Sequence, residues 1–151
     1  MRLASLTRPD LIFLGLPGGE RQAVLHDLAQ RVADRGRIGD PGELSLRLWE
    51  REQLGSTGVG VGVALPHCKL PGLTHGFVAI GVTAQGVDFA APDGAPVRLF
   101  FLVVSPSLSP SEHLQALAAI SRWVKADGHV SQLLSLTDPE AVYDLLAKEG
   151  S

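Results

Sequence analysis

Residues 51–70 read REQLGSTGVGVGVALPHCKL, and the rest of the chain is arranged around them. The stretch leaves a helical pattern, crosses a glycine-rich loop and enters a short apolar run that closes on Pro66-His67. Gly55, Gly58, Gly60 and Gly62 let the backbone approach another group without interference from a Cβ. His67 directly follows a proline, and the spacing puts it at the end of a strand, facing a loop. A stiff neighbour holds its backbone, and loops at strand ends are where sites are commonly built. Pro66 also biases Leu65 toward extended backbone.

Working toward the N-terminus, Asp40-Pro41-Gly42-Glu43 reads as a helix start. Asp40 is the cap, Pro41 suits the first turn and Glu43 completes a capping box. Leu44, Leu48 and Trp49 are expected inward, and Gly55 is expected as a left-handed cap after Leu54. An earlier helix is expected over 20–35, with Leu25, Leu28, Ala29 and Val32 on one face and Gly36 as its stop. Leu11-Ile12-Phe13-Leu14 reads as a strand or extended segment.

Toward the C-terminus, strands are expected over 61–65, 77–82 and 97–104. The last is almost unbroken apolar sequence, as suits a strand covered on both faces. Residues 83–96 are turn-rich, with a short strand expected around 87–89. Ser109-Pro110-Ser111-Glu112 repeats the logic of a capped helix start. In that helix Leu114, Leu117, Ala118 and Ser121 are expected on one stripe, with Ile120, Trp123 and Val124 beside it. Short helices over 130–136 and from Thr137 complete the chain. The sum is a single mixed α/β domain over residues 1–151, its sheet flanked by helices.

The 151 residues are 45% hydrophobic and 19% charged, an ordinary globular balance, with a formal net charge of −3. That charge disfavours nucleic acid or an anionic membrane as the main partner. The lone cysteine, Cys68, excludes an internal disulfide and fits a reducing compartment. No apolar run is long enough to span a bilayer, and the N-terminus lacks a signal-peptide core. A cytoplasmic protein is expected.

The loop is not a P-loop, and Gly58-Val59-Gly60-Val61-Gly62 does not continue as a dinucleotide fingerprint. Ser56, Thr57 and the backbone N–H groups of the loop, Gly58 included, remain as candidates to hold a phosphoryl group. The loop reads equally well as a flexible turn. His67 is a competent nucleophile near neutral pH, although a lone histidine is more often a surface or core residue. Arg51 offers a planar fork for phosphoryl oxygens, or simply a favourable charge at a helix C-terminus. His113 lies in the first turn of its helix, where imidazolium is disfavoured and an anion is welcome. His67, Cys68, His75 and His113 have metal-binding atoms, but no HExxH or CxxC exists, and His67 and Cys68 point opposite ways on extended backbone. No metal and no cofactor are expected. His26 and His129 carry no signal.

Taken together, Arg51-Glu52, Gly55-Ser56-Thr57-Gly58-Val59-Gly60 and Gly62-Val63-Ala64-Leu65-Pro66-His67 resemble the signature of the IIA domain of the bacterial phosphotransferase system. The type is the fructose/mannitol class, which includes nitrogen-regulatory IIA proteins. Ser111-Glu112-His113-Leu114 with Leu117-Ala118 is similar to that family's second histidine segment, and the resemblance covers essentially the whole chain. It implies a mixed sheet of roughly five strands between helices. It implies that His67 accepts a phosphoryl group from an HPr-type carrier, that His113 steadies that group, and that Arg51 binds its oxygens. Ser56 and Thr57 would shape the loop. No cofactor is implied. The onward partner would be a IIB cysteine or a regulatory target. With no IIB or IIC segment in the sequence, a stand-alone regulatory carrier is expected, ahead of a sugar-specific IIA subunit or an unphosphorylated binding module. Cys68 departs from the pattern, which commonly has glycine after the histidine, and raises the expectation of narrowed access to His67. The segment before the first helix is also short.

Overall fold

The strand with the longest apolar run lies at the centre of the molecule. In the computed structural model, which describes residues 2–148, this strand covers Val97–Pro106 and is buried at every position except Arg98. Its side chains alternate between two cores, as a period of two requires. Phe100, Leu102 and Val104 face one cluster, while Leu99, Phe101 and Val103 face the other.

In chain order, two 3₁₀ turns, Leu3–Leu6 and Pro9–Leu11, precede β1 (Ile12–Leu16), α1 (Arg21–Asp34) and α2 (Pro41–Leu54). Then come β2 (Gly58–Gly60), β3 (Val63–Ala64), β4 (His67–Leu70), β5 (Phe77–Val87) and the central strand, β6. Helices α3 (Pro110–Lys125), α4 (His129–Leu134) and α5 (Pro139–Lys148) follow. The sheet is mixed. β5 pairs antiparallel with β6 and parallel with β1, while β3 and β4 both run parallel to β6, and β2 pairs antiparallel with β3. Leu25, Leu28, Leu44 and Leu48 of α1 and α2 cover one face. Ile120 and Trp123 of α3, with Val142 and Leu146 of α5, cover the other.

Six strand segments occupy five lanes of the sheet, and the reason lies in the quoted stretch. Ala64 is opposite Phe100 and His67 opposite Val103, so β3 and β4 keep one register along β6. Pro66 has no N–H to give, and the ladder breaks there. The strand expected over 61–65 therefore shrinks to Val63–Ala64, and His67 opens a strand instead of closing one. Ahead of β3, Val61 takes φ 53°, an unusual turn conformation for a β-branched residue.

Chain punctuation explains the start of α2 and the end of α1. Asp40 accepts hydrogen bonds from the N–H groups of Gly42 (3.0 Å) and Glu43 (3.2 Å). The Glu43 carboxylate turns to Arg47 at 3.4 Å, so Asp40 provides the side-chain cap. Gly36, at φ 76°, ends α1 in a Schellman arrangement, with Gly36 N–H on Ala33 O and Arg37 N–H on Val32 O.

Four expectations need correction. Gly55 leaves α2 at φ 158°, ψ 148°, so the chain turns into extended backbone without a left-handed cap. Ser109 makes no side-chain capping bond. β5 continues through the turn-rich segment to Val87, with an irregularity after Val82, so no separate strand exists at 87–89. In α3 the buried side is His113, Ala116, Ile120, Trp123 and Val124, and Leu114 is 67% exposed. The stripe sits one residue earlier than its leucines suggest.

Candidate functional site

Three elements bring the site together. Arg51 lies in the last turn of α2, His67 starts β4, and His113 lies in the first turn of α3. β4 runs beside β6, and α2 and α3 pack on opposite faces of that sheet. The break at Pro66, between β3 and β4, is where His67 meets residues of both helices. The structure joins all three expected residues. Arg51 Nε donates to His67 Nε2 at 3.3 Å, and the His67 and His113 ring centroids are 5.3 Å apart at 52°.

The tautomer of His67 follows from its partners. Nδ1 lies 2.7 Å from the carbonyl oxygen of Leu65, which can only accept. Nδ1 therefore carries the proton. Nε2 keeps a lone pair, turned toward the Arg51 N–H. Burial holds the pKa of His67 below its ordinary 6.5. The Leu65 carbonyl opposes that push, and the Arg51 guanidinium adds to it. The ring is half-buried, so its edge remains approachable.

His113 is more enclosed, at 6% exposure, and its Nδ1 shares a hydrogen bond with Ser105 Oγ at 2.7 Å. Burial, then the neighbouring His67 and Lys69, push its pKa down to about 4. It is a neutral ring at physiological pH.

Glu52 is the residue that sequence reasoning passed over. It is 2% exposed, and its carboxylate accepts from both the backbone N–H (2.9 Å) and Oγ1 (2.5 Å) of Thr57. Arg21 Nη1 lies 3.5 Å from the same carboxylate. This clamp joins the end of α2 to the loop beyond it and fixes the helix turn that carries Arg51. A glutamate at a helix end ordinarily reads as solvated, and the one available signal was a threonine placed to meet it across the glycine turn.

In the loop of Ser56, Thr57 and Gly58, the polar groups find partners within the protein. Ser56 Oγ donates to Phe89 O and accepts from Gly58 N–H, and both donors of Thr57 go to Glu52. A Cβ on Gly58 would meet Ala91 at 3.0 Å, so this glycine serves close packing. The three residues shape the loop, and their polar groups are engaged within the protein.

Cys68 does not crowd the site. It packs against the core beneath α1 and α2, away from the imidazole, as alternation along β4 requires. Burial pushes its thiol up to about 12, which keeps it unreactive. His75 lies in the turn before β5, His26 on α1 and His129 at the start of α4. Among the described residues, no group of three or more His, Cys, Asp or Glu is placed to hold a metal ion, and no helix is long and apolar enough to cross a membrane.

Three leucines near the site residues in sequence are exposed. Leu54, just beyond Arg51, is 85% exposed; Leu108, in the turn leading to α3, is 95% exposed; Leu114 adjoins His113.

Residues 5–149 match the family model described as "Phosphoenolpyruvate-dependent sugar phosphotransferase system, EIIA 2". A nitrogen regulatory protein of Pseudomonas aeruginosa is 35% identical over 146 residues, 97% of this chain and 95% of that one. A PTS system fructose-specific EIIA component of Haloferax volcanii is 32% identical over 146 residues, with the same coverage. The crystal structure of nitrogen regulatory protein IIA-Ntr from Neisseria meningitidis superposes with a TM-score of 0.88 at 28% identity, covering 95% of this chain and 97% of that one.

Proposed function

The chain belongs to the EIIA 2 family of the phosphoenolpyruvate-dependent sugar phosphotransferase system, and from that premise we propose that His67 is its phosphoryl acceptor. The donor is the phosphohistidine of an HPr-type carrier. The observation that carries this reading is the bare Nε2 of His67, with its proton parked on Nδ1 and a guanidinium alongside.

The step balances without a cofactor. The Nε2 lone pair forms a bond to phosphorus as the donor's N–P bond breaks and its electron pair returns to the donor ring. Transfer between two imidazoles exchanges like bonds, so positioning and charge stabilisation are what the protein must supply. Arg51 exchanges its bond to Nε2 for one to a phosphoryl oxygen. His113, neutral, steadies the group without an added charge. Leu65 O holds the Nδ1 proton, which keeps the phosphorylated ring a good leaving group for onward transfer. The exposed Leu54, Leu108 and Leu114 suit a brief protein encounter with a small apolar interface.

Of the two roles known for such carriers, we propose the regulatory one, in the cytoplasm. The close match to IIA-Ntr over 95% of the chain supports it. The fructose-specific relative supports the other reading, a sugar-specific subunit handing phosphate to a IIB cysteine. Transfer to purified fructose or mannitol IIB domains separates the two roles.

The acceptor itself is tested by incubation with the upstream kinase, an HPr-type carrier and phosphoenolpyruvate. Acid-labile phosphate is expected on the wild type and not on His67→Ala. Label that persists on His67→Ala, or no label on either protein, overturns the assignment.

A further inference from the structure

A polar cleft of about 510 Å³, with none of Arg51, His67 and His113 in its lining, forms where four separate segments converge. It is lined by Thr7 and Arg8 between the 3₁₀ turns, Arg37 just after α1, His75 and Gly76 before β5, and Tyr143 of α5. Its lining contains no carboxylate. The ion pairs among the described residues involve Arg21, Arg31 and Arg47, so the guanidinium groups of Arg8 and Arg37 are left unneutralised. Two such cations in one concavity are notable in a chain of net charge −3.

One further observation marks a prepared site. The Arg37 guanidinium sits over the Phe77 ring, 4.9 Å from its centroid, which holds it in place before anything binds. The chemistry on offer is two planar forks with the imidazole of His75 and the phenol of Tyr143, a set that fits a tetrahedral dianion. The cleft is roomier than a bare phosphate ion requires and falls within the roughly 300–1,000 Å³ of small-molecule sites. A neighbouring cleft shares His75 and Gly76 and reaches Ser105 and Glu112. Glu112 lines that neighbouring cleft and not the cleft of Arg8 and Arg37.

We propose that this cleft binds a small phosphorylated metabolite, its phosphate held by Arg8 and Arg37 and its body seated along Tyr143 and Gly76. Its lining residues are distinct from Arg51, His67 and His113.

The test is a ¹⁵N NMR titration of the full chain with glucose 6-phosphate, inorganic phosphate and glucose. Glucose 6-phosphate is expected to give saturable shifts centred on residues 7–8, 37, 75–76 and 143, at lower concentration than inorganic phosphate, and glucose to give none. Arg8→Glu with Arg37→Glu should weaken binding at least tenfold, Arg8→Lys with Arg37→Lys much less, and the dispersed spectrum of each variant reports that it folds. His67→Ala should bind as the wild type does, whether or not it can be phosphorylated. Four outcomes overturn the proposal: no saturable shift, shifts centred on residues 51 and 67, affinity no better than that of inorganic phosphate, or binding indifferent to the double charge reversal.

Discussion

Arg51 and His67, sixteen residues apart in sequence, meet at 3.3 Å between Nε and Nε2. The guanidinium points at the one imidazole nitrogen that has no proton of its own. It lowers the basicity of that nitrogen and stands where phosphoryl oxygens would arrive. Arg51→Ala should therefore slow phosphoryl acceptance by about a hundredfold, the scale for losing one preorganised donor to a developing charge. Arg51→Lys should recover only part of the rate, because an ammonium lacks the planar fork. Single-turnover transfer from a phosphorylated carrier measures both.

The acid limb of acceptance should lie below the ordinary histidine range. Neutral imidazole is the competent form, and the folded pKa of His67 is depressed. The rate should hold as pH drops past 6.5 and fall only as it passes through the lowered folded value. Arg51→Ala removes one of the depressing influences, so its limb should move to higher pH. NMR titration of the His67 ring protons reads the same shift directly.

His113 should make stability depend on pH. Its folded pKa is about 4 against an ordinary 6.5. Between these values the unfolded chain binds more protons than the folded one, so unfolding free energy rises with pH across that window and levels above it. His113→Gln should flatten part of this slope in urea melts at pH 4.5 and pH 7.

Glu52→Gln should destabilise the protein by about 2 kcal/mol, the scale of charge-assisted hydrogen bonds lost in a buried place. Thr57→Val, which leaves the carboxylate short of a donor, should cost about 1–2 kcal/mol. The double variant should lose less than the sum of the two. Chemical denaturation reports all three. Additive losses would mean that the pair does not act as a unit.

Cys68→Ala should accept phosphate within about twofold of the wild type, as expected of a side chain that touches no reacting atom. The folded protein should also resist thiol reagents at pH 8, because burial keeps the thiol protonated. Rapid labelling would contradict the packing seen here.

Much of this architecture is legible in the sequence wherever one residue type dictates the backbone. Asp40-Pro41 and Gly36 mark helix ends, and the apolar run of β6 announces a strand covered on both faces. The buried stripe of α3 was harder to see because a histidine heads it. His113 occupies a core position, whereas Leu114 beside it faces outward. The apolar count favours the wrong side because Leu114 is exposed and Leu117 is only partly buried. The end of β5 was hidden by Gly86, which reads as a turn. There a Cβ would meet Pro96 at 2.4 Å, so the glycine allows β5 and the start of β6 to approach. Arg51, His67 and His113 were each identifiable. The Glu52–Thr57 clamp depends on the burial of Glu52, at which only the threonine across the turn hints.

The interruption at Pro66 has a chemical consequence. It leaves the Leu65 carbonyl as the partner of the ring two residues on. That contact makes the ring regioselective, so a phosphoryl group taken up here would form the tele isomer of phosphohistidine and not the pros isomer. The two isomers differ in ³¹P chemical shift, and one spectrum of the freshly labelled protein would distinguish them.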